Sequence, residues 1–325
     1  MSPTLSPWST TKAREWYSSK PWLVGCNFLP STAVNDIEMW RRETFDLPTI
    51  DRELALAQSI GFNTVRVFVN FVIWESDPAW LIQALDQFLS VADRHGIGAM
   101  IILLDDCFKQ DPQPGPQASP IAGMHNSQWV ASPGSVMTGE PATWSRLQAY
   151  VTHVVSSFAH DPRVLVWDIY NEPCQSLELV QYSFDWARNA QPVQPLTSCV
   201  YSGWDDQIAE ISDVVSFHNY GDLPNLAKHI DTLRVYDRPL LCTEWMARTQ
   251  NSVFETHLPY LRSQRVGAWN WGLVNGRTQT HIPWGTTPML DEPDPWFHDI
   301  FCSNGTPKYA NEIDIICATT GKAFR

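Results

Sequence analysis

The sequence predicts an α/β fold: one (β/α)8 TIM barrel, all-parallel and closed, with long loops after its third and eighth strands over its C-terminal face. Three observations lead there. Eight short apolar runs alternate with amphipathic segments along 325 residues, and apolar runs of this length suit strands covered on both faces. The rhythm and the length together fit eight right-handed βα units in a single domain. No G-x-G-x-x-G turn follows the first run, which weighs against a doubly wound open sheet.

The elements follow in order. After an N-terminal extension (1–20), "WLVGCNFLP" (22–30) reads as the first strand and "TIDRELALAQSIG" (49–61) as a helix ending on Gly61. "NTVRVFVNF" (63–71) is the second strand. In "AWLIQALDQFLSVADRHG" (79–96), Leu81, Leu85, Phe88, Leu89 and Ala92 share one helical face. The third strand is "IGAMIILLDD" (97–106), then a helix at 142–159, and the fourth strand "RVLVWDIYNEP" (163–173). The second half continues with a helix (177–190), strand "LTSCVYSGW" (196–204), a short helix (205–211) and strand "DVVSFHNYG" (213–221). A helix (224–235), strand "RPLLCTEWMAR" (238–248), helix (252–263), strand "RVGAWNWG" (265–272) and a terminal helix near 308–319 complete the set. Two connections are long, about 105–141 and about 272–307, and each leaves a strand's C-terminal end. Long structured loops at that end build sites.

At 44% hydrophobic and 18% charged the chain is that of a soluble globular protein with a large core. A net charge of −13 argues against nucleic acid and anionic membranes as partners. The first 22 residues carry no apolar signal region, and no run is long enough for a membrane span. Seven scattered cysteines without a CxxC read as reduced thiols, so a cytoplasmic protein is expected. The sequence is silent on oligomeric state.

In such a barrel the chemistry sits at the strands' C-terminal ends. "VLVWDIYNEP" is a buried strand that stops on Asn171, Glu172 and Pro173, and the proline ends ladder donation. A lone glutamate there is most simply a solvated strand-end acid. The seventh strand, however, ends on Glu244, so two carboxylates face one mouth. Paired carboxylates are what glycoside hydrolysis needs, one to protonate the leaving oxygen and one to attack the anomeric carbon or activate water. The other strand ends present Asn27, Asn70, Asp105, Asp106, Trp204, His218, Tyr220, Trp269 and Trp271. Several of the 16 tryptophans offer flat faces to sugar rings, and others are plain packing.

"WDIYNEP" and "LLCTEW" resemble the acid/base and nucleophile strands of clan A glycoside hydrolases, the retaining (β/α)8 superfamily that includes family 5. "NTVRVF", "SFHNYG" and "GAWNWG" resemble the clan's second, sixth and eighth strands, so the likeness spans roughly residues 20–320. It implies that Glu172 is the general acid/base and Glu244 the nucleophile. Asn171 would bond the sugar 2-hydroxyl, and Tyr220 would donate to Glu244. His218 would support the sugar or the acid/base, and Trp271 would floor the reacting sugar's subsite. The activity implied is that of a retaining β-glycosidase without a cofactor, acting on carbohydrate.

Strand parity puts Thr64, Arg66 and Phe68 on one face. An interior arginine needs a carboxylate partner. Glu244 is the clan's expectation and Asp168 the structural alternative, with a network shared by both as the reading adopted. The third strand ends "LLDDCF" where many family 5 members carry a histidine. Asp105 or Asp106 then binds substrate hydroxyls, or Asp106 caps the loop. No histidine is placed to activate Cys174. His125 and His281 lie in the long loops as hydrogen-bonders within reach of the site, and Trp129 in "HNSQWV" is the candidate aromatic contact. Without H-x-H or H-E-x-x-H, no catalytic metal is expected. Two rivals use the same residues: a transglycosylase, and a carbohydrate-binding barrel without turnover. The long loops lean toward a closed pocket.

Overall fold

The computed structural model describes residues 6–107 and 111–323. Its eight strands are β1 (Val24–Asn27), β2 (Thr64–Phe68), β3 (Gly98–Asp105), β4 (Val164–Asn171), β5 (Leu196–Thr197), β6 (Val215–His218), β7 (Leu240–Trp245) and β8 (Gly267–Asn270). They form one parallel sheet in the order β5-β4-β3-β2-β1-β8-β7-β6. The ring closes between β5 and β6 through the parallel bridge of Cys199 with Ser216, and through Val200 N–H donating to the Ser216 carbonyl at 2.9 Å. This is a (β/α)8 barrel.

Two strands end earlier than their apolar runs. The run 196–204 yields only Leu196–Thr197, because Ser202 (φ 58°) and Gly203 (φ 77°) turn the chain away in left-handed backbone. The run 63–71 stops at Phe68, because Asn70 caps a further helix, Phe71–Ser76, its side chain accepting from Val72 N at 3.1 Å. The outer helices include Leu47–Ser59, Pro78–Arg94, Trp144–Phe158, Leu177–Asn189, Leu223–Leu233, Phe254–Ser263 and Ala310–Thr320. Pro78–Arg94 buries Leu81, Ala84, Leu85, Phe88, Leu89 and Ala92 on one stripe. Each large apolar side chain on such a stripe contributes about 1.5–3 kcal/mol. Asp77 starts this helix by accepting from Trp80 N at 3.0 Å.

The barrel interior is layered. At the bottom, Leu23, Met100, Val166, Val214, Leu241 and Trp269 pack together. Part of the stretch read as an extension is a helix, Thr10–Ser18, whose Tyr17 plugs this layer. Above it lies a polar layer around the fully buried Arg66 and Asp168. The top layer is Phe68, Ile102, Trp129 and Trp271. No described helix is long and apolar enough to cross a membrane, and no disulfide joins the cysteines.

Candidate active site

Glu172 is the first residue past β4, and its backbone is left-handed (φ 40°). A non-glycine residue held there costs about 1–3 kcal/mol and has to be fixed by its surroundings. Its N–H donates to Cys199 Sγ at 3.0 Å, and Pro173 bars a return to the ladder. The strain swings the carboxylate over the barrel mouth, where His218 Nδ1 meets its Oε1 at 2.8 Å.

Glu244, near the end of β7, is bonded on both oxygens. Arg66 Nη1 donates to Oε1 at 2.8 Å and Tyr220 O–H donates to Oε2 at 2.7 Å. His218 Nδ1 lies 3.5 Å from Oε2, between the two acids. One oxygen of Glu172 and one of Glu244 stand within 4.8 Å of each other.

Arg66 ties the floor together. Its guanidinium donates to Asp168 Oδ2 (2.9 Å), Asn27 Oδ1 (2.8 Å), Asn171 Oδ1 (2.6 Å) and Glu244. The partner is thus neither Asp168 nor Glu244 alone. Burial works against its charge, but Asp168 and Glu244 outweigh that and hold it protonated. Asn171 is locked on its other side by donating to Asp105 Oδ1 at 2.9 Å, and Trp129 Nε1 donates to Asp105 Oδ2 at 2.9 Å. Burial pushes Asp105 well above the usual carboxylate range.

The charges divide in a definite way. Burial acts against the His218 cation, yet Glu244 and the bond to Glu172 raise its pKa well above the imidazole norm. Burial raises Glu172, but the hydrogen bond and charge of His218 overcome it and hold this carboxyl below its ordinary range. Burial holds Glu244 above its ordinary range, against the pull of His218 and Arg66. His218 and Glu172 thus each favour the charged form of the other across their 2.8 Å contact.

A pocket of about 420 Å³ opens above these groups, lined among others by Asn171, Glu172, His218, Tyr220, Glu244, Trp129 and Trp271. Other expected residues stand elsewhere. Asn27 sits under the site, donating to the Thr243 carbonyl at 2.8 Å. Asp105 and Asp106 do not line the pocket. Asp106 caps the loop after β4, accepting from Cys174 N (2.9 Å), Gln175 N (3.0 Å) and Tyr170 O–H (2.8 Å). Trp204 is also displaced: the turn that shortens β5 packs it against the core, and Tyr201 of the same turn lines the pocket instead. His281 lies outside the lining, against Trp296.

Cys107, His125, Asn126, Tyr201, Trp284 and His298 complete the wall. His125 is also a loop hydrogen-bonder, its Nδ1 lying 2.7 Å from the Ile282 carbonyl. Trp284 and His298 lie in the Trp- and His-rich stretch 272–307, where composition marked the loop but no periodicity singled out residues. The donor atoms of Glu172, His218 and Glu244 are close enough to hold a metal ion. Of these, Glu172 Oε1 is bonded to His218 Nδ1, and the two oxygens of Glu244 are bonded to Arg66 and Tyr220.

The family model for glycosyl hydrolases family 2, TIM barrel domain, matches residues 86–274, more than half of the chain. Among solved structures, the chain is similar to GH5_18 from Streptomyces cattleya in complex with GlcNAc, with TM-score 0.62 and 14% identity over 93% of this chain and 80% of that one. It is similar to an exo-β-1,4-mannosidase from Opitutaceae bacterium strain TAV5, with TM-score 0.63 and 18% identity over 93% of this chain and 60% of that one. The endo-β-1,4-mannanase from Thermotoga petrophila gives TM-score 0.61 and 12% identity over 93% and 78%. No curated protein matches by sequence. Matched over more than half its length, the chain belongs to the glycosyl hydrolases family 2 TIM barrel domain and is a glycoside hydrolase.

Proposed function

We propose that the protein is a retaining β-glycosidase, hydrolysing O-glycosidic bonds of oligosaccharides or glycosides by double displacement. The observation that carries this reading is that one carboxyl oxygen of Glu172 and one of Glu244 come within 4.8 Å at the pocket floor. Retaining sites hold their carboxyl groups about 5–5.5 Å apart, whereas inverting sites leave about 6.5–9.5 Å for an intervening water. Glu244 is the nucleophile. Its two oxygens are aimed by Arg66 and Tyr220, and the guanidinium favours the ionised form that attacks. As Glu244 bonds to the anomeric carbon, the glycosidic C–O bond breaks and its electrons go to the leaving oxygen. Glu172 delivers the proton that oxygen needs, drawn from the His218–Glu172 pair. Glu172 then takes a proton from water, the water oxygen attacks the anomeric carbon, and Glu244 is released. Asn171, held by Arg66 and Asp105, is placed to bond the 2-hydroxyl.

The test is to trap the intermediate. Incubation with a 2-fluoro glycoside bearing a dinitrophenyl leaving group should label the peptide that contains Glu244, read by mass spectrometry. The panel covers gluco, galacto, xylo and manno configurations. The manno member is included because two of the similar folds are named mannosidase and mannanase. Release of the α-anomer from a β-glycoside, followed by NMR, would sink the retaining mechanism.

A further inference from the structure

Glu172 holds its carboxyl from left-handed backbone (φ 40°), which a bulky residue keeps only when its surroundings fix it. The turn it opens hangs on side chains from two neighbouring strands. On the β3 side, Asp106 takes the N–H groups of Cys174 and Gln175. On the β5 side, the Glu172 N–H itself donates to Cys199 Sγ at 3.0 Å. Pro173, between them, has no N–H to give. Cys199 lies two residues beyond the end of β5, yet its place is set. The Thr197 hydroxyl donates to the Val214 carbonyl at 2.7 Å, at the entry to β6. The Ser198 hydroxyl donates to the Tyr170 carbonyl of β4 at 2.7 Å. Cys199 then makes the parallel bridge with Ser216 that closes the barrel. Its sulfur is held by the frame between β4 and β6.

His218 cannot aim Glu172 alone. Its Nδ1 meets Glu172 Oε1 at 2.8 Å, but its Nε2 is buried and makes no well-formed hydrogen bond among the described residues. The contact between the two depends on where the backbone of Glu172 carries the carboxyl. Resting on the acid/base reading of Glu172, we propose that Cys199 is a positioning residue for the proton transfer. The Cys199 side chain is fully buried and does not line the pocket, so it acts through Glu172 and not on the sugar. By accepting the Glu172 N–H it locks the left-handed turn that points the carboxyl at His218 and across the pocket floor at Glu244. Sulfur is a weak acceptor, so losing this bond costs aim more than folding. Aim matters, because a misplacement of about 1 Å can cost roughly 100-fold in rate.

Three variants and two leaving groups test this. The substrates are β-glycosides of the sugar that the wild type accepts, one with a dinitrophenyl and one with a methyl leaving group. The readout is kcat/KM, which reports the step in which the leaving oxygen takes its proton. Cys199→Ala removes the acceptor and should lower kcat/KM on the methyl glycoside by roughly tenfold or more. The dinitrophenyl glycoside needs no protonation and should lose less than about threefold. Cys199→Ser restores an acceptor and should recover most of the loss. Cys199→Val fills the space without an acceptor and should behave as Cys199→Ala, which separates the bond from the packing and serves if the alanine variant does not fold. Equal losses on both substrates, no loss on either, or a serine variant no better than alanine and valine would overturn the positioning role. Glu172→Ala on the same substrates checks the reading beneath. If it is selective for the methyl glycoside and Cys199→Ala is not, the inference about Cys199 falls alone. If Glu172→Ala also loses equally on both, or if the wild type is inert on every β-glycoside, the acid/base reading falls and this inference with it.

Discussion

The hydroxyl of Tyr220 does one specific thing to Glu244: it bonds the ionised form at 2.7 Å. A hydrogen bond to a charged group is worth about 1.5–3 kcal/mol. Tyr220→Phe should therefore lower kcat/KM by roughly 10- to 100-fold. It should also move the acid limb of the pH profile to higher pH, because Glu244, already raised by burial, loses a bond that favours its charge. Activity on the acid side falls as Glu244 gains a proton. On the basic side it falls as the His218–Glu172 pair loses its proton, and the raised pKa of His218 keeps that proton in place well past the ordinary imidazole range. An unmoved acid limb in Tyr220→Phe would assign that limb to another group. Glu172→Ala should cost about 10²–10⁴ with poor leaving groups. With dinitrophenyl glycosides the loss should be much smaller, and azide should restore part of the rate as a β-glycosyl azide. Equal losses on both substrates without azide rescue would remove Glu172 from the acid/base role.

Among the elements, the turn after β4 shows what a sequence reveals and what it hides. "NEP" announced an abrupt end to a buried strand, and Pro173 explains it locally. That Asp106, at the end of β3, holds this turn through Cys174 N and Gln175 N depends on two strands meeting side by side, which no local pattern encodes. Removing the carboxylate leaves those partly buried donors without it, at about 1–3 kcal/mol. Asp106→Ala should lower the urea midpoint correspondingly, and a variant as stable as wild type would deny the cap. The strand ends that carry Arg66, Asn171, Glu172, His218, Tyr220 and Glu244 were legible because parity and strand termini are local properties. Tyr201, Trp284 and His298 were not, because irregular loops place side chains by tertiary contact alone. Trp204 shows the same limit: a left-handed turn at Ser202 and Gly203 reverses which aromatic faces the pocket.

Over the whole molecule, stability and chemistry occupy opposite ends of one barrel. Tyr17 plugs the bottom layer beneath the polar layer of Arg66, while Glu172, Glu244 and the residues that line their pocket lie at the top. Tyr17→Ala should cost about 3–5 kcal/mol, as other buried aromatic truncations do. Turnover per folded molecule should stay unchanged, as activity measured well below the melting temperature would show. A matching fall in kcat would mean that the two ends communicate. The contact between the two long loops, about 105–141 and about 272–307, carries a different consequence, one of birth order. Gln279 grips backbone at Ile121 and Gly123, more than 150 positions earlier in the chain. A chain still being synthesised holds both glutamates by residue 244 but cannot join its two long loops until Gln279 and Met289 have emerged to meet the earlier one. The acids are thus written into the polypeptide before the loops that wall their pocket have met.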